Sequence, residues 1–175
     1  MPYATFEQLT EAYGWTEISQ LLEDEEGLVT EALLKDVFFE ADLGGYSAEE
    51  IAAATVALLR ATNALLKQSH YIDSKLAAKY SLPLPAGAED TTPLKECCLA
   101  LTRPALADDG DNISTTMKEE RKHWREWLND IANGNAFLPG IAHTAEGGNV
   151  NRRITSKPCS SVDLDRYNNI NRYSV

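Results

Sequence analysis

The stretch from Ser47 to Tyr80 constrains this 175-residue chain more than any other. Ser47 with Glu50 three positions later is a capping box, in which each side chain takes up an amide that the first turn of a helix leaves without a partner. Behind it Ile51, Leu58, Leu65 and Ile72 recur every seven residues, Leu59 and Leu66 broaden the stripe, and Ala54, Ala57 and Ala61 add apolar surface around it. Leu76 and Tyr80 continue the pattern. This periodicity predicts one amphipathic helix over residues 48 to about 80, about 50 Å long if unbroken. Pro83 disfavours helix at Leu82, so the helix is expected to end near Ser81 and the sequence SLPLP to run extended. A helix of that length places its stripe in a helical core or between subunits.

The rest of the body reads the same way. Thr5 with Gln8 forms another capping box, followed by Phe6, Leu9 and Tyr13, and Gly14 stops the run. Thr16 is expected to cap a short turn carrying Ile18, Leu21 and Leu22. Thr30 is expected to cap a helix with Leu33, Leu34, Val37 and Phe38. Thr92 and Pro93 read as a cap and first helical residue ahead of Leu94, Cys97, Cys98 and Leu101. Pro104 should end or kink that helix. Thr116 with Glu119 reads as a further capping box, ahead of a face made by Met117, Trp124, Trp127, Leu128 and Ile131. Gly134 closes it. Two tryptophans three apart on such a face read as core or subunit interface. No strand pattern occurs in the body. The expected fold is all-α: a small helical bundle with one long helix over residues 1–140, and an extended C-terminal arm over 141–175.

Charge separates those two parts. Residues 1–140 hold 11 basic and 24 acidic side chains, whereas residues 141–175 hold 5 and 3. The net charge of −11 argues against gripping a nucleic-acid backbone through a broad basic face. After Pro139 the apolar periodicity disappears into Gly, Ser, Asn and Thr. Such a segment buries too little apolar surface to offset the entropy of ordering it alone. It nonetheless carries Arg152 and Arg153, then Arg166 and Tyr167, Ile170, and Arg172 and Tyr173. The two Arg–Tyr pairs are six residues apart. An extended strand would put both tyrosines on one face and both arginines on the other. We read these residues as anchors of an arm that docks into a partner.

No constellation carries chemistry. Cys97, Cys98 and Cys159 are odd in number and suit neither a metal nor a redox pair, which points to a reducing compartment. His70, His123 and His143 lie on different elements. His70 and Asp73 read as a surface pair. Asp24–Gly27 lacks the alternating oxygen ligands of a calcium loop. There is no glycine-rich phosphate loop and no nucleophile elbow. The opening residues MPYATFEQL lack the basic start and apolar run of a secretory signal, and no apolar stretch is long enough to span a membrane. The expectation is a binding protein with no catalytic residue, cofactor, metal or membrane partner.

Four stretches, in order, resemble one family. YIDSKLAAKYSLPLP, Tyr71 to Pro85, resembles a signature of a Mu-like bacteriophage family that reads roughly Ile-Asp-x-Tyr-Leu, two small residues, a basic residue, then Tyr-x-Leu-Pro-Leu. MPYATFEQLTEAYG resembles its opening capped helix, TPLKECCLAL its Pro-Leu-Leu helix, and WLNDIANGNAFLPG its closing Trp-Leu-x-x-Ile-Ala-x-Gly stretch. Together they span about residues 2–140. Three places depart from the pattern: a longer segment from Gly44 to Gln68, Lys75 where Tyr or Gly is common, and Pro104 in a helix the family usually runs through.

That family is similar to the head–tail connector, or adaptor, proteins of long-tailed phages. The resemblance implies a small helical subunit, typically in a dodecameric ring under the portal. Its implied partners are the portal protein, other neck or tail-completion proteins and further copies of itself, with DNA only as passing cargo. Its implied location is the virion neck, and the host cytoplasm before assembly. In that setting Ile51, Leu58, Leu65, Ile72, Leu76, Trp124 and Trp127 are expected to pack subunits together. Arg152, Arg153, Arg166, Tyr167, Ile170, Arg172 and Tyr173 are expected to dock on the portal or a neighbour. An acidic body also suits a different class, an acidic helical inhibitor that mimics DNA and blocks a host DNA-processing enzyme.

Overall fold

Side-chain oxygens start four helices of the protein. A computed structural model describes residues 2–23, 26–88, 92–107 and 113–143. Among these it shows six helices and no strand: α1 Phe6–Tyr13, α2 Trp15–Leu22, α3 Glu31–Phe38, α4 Ala48–Leu76, α5 Leu94–Leu106 and α6 Thr115–Asn133. Thr5 accepts from the Gln8 amide while Gln8 accepts from the Thr5 amide, at 3.2 and 3.0 Å. Ser47 and Glu50 do the same at 3.2 and 2.7 Å. That bond holds the Glu50 carboxyl below its usual range. Thr30 caps α3. All three caps are those the sequence predicts.

Three other expected caps fail because the hydroxyl finds a better partner or lies within the helix. Thr16 lies inside α2 and donates to Glu31 Oε2 at 2.7 Å, tying α2 to α3. Gly14 takes the cap position instead, with φ +84°, a conformation open to glycine and costly for residues with a Cβ. Thr92 donates to the Ala88 carbonyl at 2.5 Å, and α5 begins after Pro93 with no side-chain cap. Ser114, rather than Thr116, accepts from the Met117 amide to start α6.

The long helix is present, at about 43 Å for 29 residues. It ends at Leu76, short of Ser81, because the amides of Lys79 and Tyr80 both turn back to the Leu76 carbonyl. That turn swings Tyr80 into the core, where its hydroxyl accepts from the Leu138 amide at 2.6 Å. Pro104 does not stop its helix where it stands. It sits buried in the last turn of α5, which ends two residues later, so only one amide is lost where the ladder is already closing.

α4 is the spine. It packs against α3, α5 and α6, and α5 packs in turn on α6 and α2. Its buried positions are Ala54, Ala57, Ala61, Leu65, Ser69, Ile72 and Leu76, three or four residues apart throughout. A straight helix turns 100° per residue, so a seven-residue repeat drifts by about 20° each time. Leu65 and Ile72 therefore face the core, while Ile51 and Leu58 are only half-buried. The small residues of the first half let α3 and α5 approach closely. Each fully buried Leu or Ile contributes about 1.5–3 kcal/mol, and Leu9, Ile18, Leu34, Leu101, Leu128 and Ile131 are among those with almost no exposure.

The chain separates into a compact unit, Met1–Thr144, and a second, Ala145–Val175. The second lies outside the described residues. Within the first, Ile141 rests against the core, and the His143 ring lies 4.8 Å from that of Tyr80.

Candidate docking surfaces

The outside of α4 is apolar where solvent should favour polar groups. Val56 and Leu59 are 64% and 59% exposed and Leu66 is 39% exposed. At 100° per residue, Ala52, Val56, Leu59, Asn63, Leu66 and His70 fall on the face opposite Ala54, Ala57, Ala61 and Leu65. The two halves of the expected packing stripe thus part company. Leu65, Ile72 and Leu76 are enclosed by the chain's own core and have no surface left for a neighbour. Ile51 and Leu58 sit at its margin. Val56 was not among the stripe residues read from the heptad, although counting by 3.6 rather than seven would have found it.

Trp124 and Trp127 are partly buried against the core, edge to face at 5.4 Å. Beside them runs a basic edge. Lys118, Arg121, Lys122 and Arg125 lie along one side of α6, around a shallow depression that Glu126 and Asn129 also line. Helical spacing in the sequence sets Glu119, Glu120 and Glu126 to balance Arg121, Lys122 and Arg125. The structure keeps one of these pairs. Glu120 turns to Arg103 at 3.4 Å, and Lys122 meets Glu126 only at 3.9 Å with both side chains largely exposed. Arg125 and Lys75 instead lie over the Tyr71 ring, 5.7 and 5.6 Å from its centre. Lys75 also donates to Asn129 at 2.9 Å. Among the described residues no carboxylate is paired with Arg121 or Arg125. Burial and the nearby Arg125 lower the pKa of Arg121, so this edge carries repulsion that folding alone does not relieve.

A second charged site is more enclosed. Arg103 binds Glu17 and Glu120 and lies 4.5 Å from the centre of the Tyr13 ring. Burial works against the cation, but the two carboxylates outweigh it and raise its pKa. These groups satisfy one another and lock α1, α2, α5 and α6 together.

At the end of α3 an aromatic row reaches the surface. Phe6, Trp15, Phe38 and Phe39 touch in sequence with ring centres 5.0–5.7 Å apart. Phe39, 61% exposed, forms the outer end. Glu40 and Asp42 follow it, both exposed. The sequence reading gives Phe39 no role.

The signature segment lines a groove. Tyr3 donates through its hydroxyl to Asp73 at 2.5 Å and through its amide to Ser69 at 3.0 Å. Asp73 therefore pairs with Tyr3 rather than with His70, which is exposed. Pro2, Tyr3 and Asp73 make one side, and Leu82–Ala86 the other, with a cis bond between Leu82 and Pro83. The anchors read in the arm, Arg152, Arg153, Arg166, Tyr167, Ile170, Arg172 and Tyr173, lie outside the described residues. Among the described residues no cluster of three or more His, Cys, Asp and Glu could hold a metal ion, and no helix is long and apolar enough to cross a membrane.

Fold and surface describe an all-helical protein whose unusual chemistry lies on its outside. The family described as Bacteriophage Mu, Gp36 matches residues 3–153, and with most of the chain covered the protein belongs to that bacteriophage family. No curated protein matches it.

Proposed function

We propose that this protein is a structural head–tail connector subunit, one of several copies in a ring between the portal and the tail-side neck proteins, around the DNA channel. Its family membership supports a phage role. The apolar outer face of α4 carries the step from phage protein to ring subunit. A single chain gains nothing from Val56, Leu59 and Leu66 facing water, whereas contiguous apolar residues on an otherwise charged surface mark contacts with other proteins. The acidic body repels phosphate, so DNA passes without sticking. In this reading the portal protein and other neck proteins are partners, residues 150–175 dock on the portal or an adjacent subunit, and no step is catalytic.

Cryo-electron microscopy of the virion neck tests the proposal. The expected result is density for this chain as a closed ring, with head–tail joining lost on deleting residues 150–175. Its absence from purified virions would refute the connector role. The DNA-mimic reading keeps one observation in its favour, thirteen acidic side chains against one basic among residues 1–50. A chain missing from particles but recovered on a host DNA-processing enzyme would establish that reading instead.

A further inference from the structure

The basic edge of α6 and the exposed end of α3 complement each other. The first offers Lys118, Arg121, Lys122 and Arg125, with Lys75 and Arg125 over Tyr71. The second offers an exposed ring, Phe39, backed by Phe38 and Trp15 and followed by Glu40 and Asp42. Both are outfitted as interface halves. Aromatic residues and arginine are the usual anchors of protein contacts, and charges around them set register and partner choice. Arg121 and Arg125 lack carboxylate partners among the described residues, and the same chain is strongly acidic over its first fifty residues. The patches sit on different helices, α3 packing on α2 and α4, and α6 on α4 and α5.

We infer that the α3 corner of one copy, Phe39 with Glu40 and Asp42, docks on the α6 edge of a second copy, against Arg121, Arg125 and Tyr71. The contact joins two unlike patches, so it repeats head to tail and closes into a ring when the rotation allows. The inference rests on the ring reading above and supplies its contact. A nucleic-acid backbone is the competing occupant of the basic edge. It is disfavoured because Glu119 and Glu126 interrupt the edge and the surrounding body is strongly acidic.

The experiment uses the full chain and two charge-reversed variants, Arg121→Glu with Arg125→Glu and Glu40→Lys with Asp42→Lys, followed by sedimentation over a concentration series. The wild-type chain is expected to associate, and to do so less at 0.5 M salt than at 0.05 M. Each variant alone is expected to associate at least about a hundredfold more weakly, since like charges then face each other. An equimolar mixture of the two is expected to recover association, because each now meets its opposite; this recovery also shows that both variants are folded. A wild-type chain that stays monomeric to millimolar concentration would overturn the inference. So would association untouched by either reversal, or a mixture that fails to recover. Loss of duplex DNA binding in the α6 variant, with association unchanged, would assign the edge to nucleic acid. A chain seen in the neck whose reversed variants still associate would keep the connector role and discard this contact.

Discussion

Tyr13 shows what enclosure does to one side chain. Burial, with Glu120 adding to it, pushes its phenol up to about 12. In an unfolded chain the same group ionises near pH 10. The stability that comes from keeping it neutral is complete below about pH 10 and is lost as pH rises through about 12. Tyr13→Phe is therefore expected to flatten the alkaline fall in stability over that interval, as read by denaturant unfolding at successive pH values. Cys97 and Cys98 make a parallel case. Both thiols are buried, and burial raises both pKa values. A thiol reagent at pH 8 is expected to leave both unmodified in the folded protein and to label both in denaturant, as read by peptide mass spectrometry. Rapid labelling of either in the native state would contradict their enclosure.

At the level of the helix, α4 separates two kinds of apolar residue that look alike in sequence. Ile72 is fully enclosed and Leu59 faces solvent. Ile72→Ala is expected to cost about 2–5 kcal/mol, because it removes contacts and leaves a cavity. Leu59→Ala should change the stability of the single chain by less than about 0.5 kcal/mol. Equal losses in thermal unfolding would mean that the outer face is not outer. At the start of the same helix, Ser47→Ala is expected to cost about 1 kcal/mol. The helices themselves were legible because apolar spacing and caps such as Ser47–Glu50 are local. What was not legible depends on distant partners. Thr16 and Thr92 look like caps until Glu31 and the Ala88 carbonyl claim their hydroxyls. The end of α4 depends on Tyr80 reaching Leu138, 58 residues on. Of the candidate surfaces, the stripe on α4 was readable in outline, but its division into core and outer face needed the true helical repeat. On α6 helical spacing finds the Lys122–Glu126 pair but not the loss of Glu120, which Arg103 draws away.

Across the whole molecule, charge is distributed rather than balanced. Acidic side chains crowd the first fifty residues, while cations gather on α6 and the last turns of α4. Despite its basic edge the full chain is expected not to retain duplex DNA at 0.15 M salt, measured by fluorescence anisotropy, because the net charge of −11 opposes it. Tight retention would contradict the idea of DNA as passing cargo. The hydroxyl of Tyr80 has a longer reach than its one hydrogen bond suggests. By holding Leu138, with His143 beside its ring, it acts as a clasp that keeps residues 138–143 folded back on the end of the long helix.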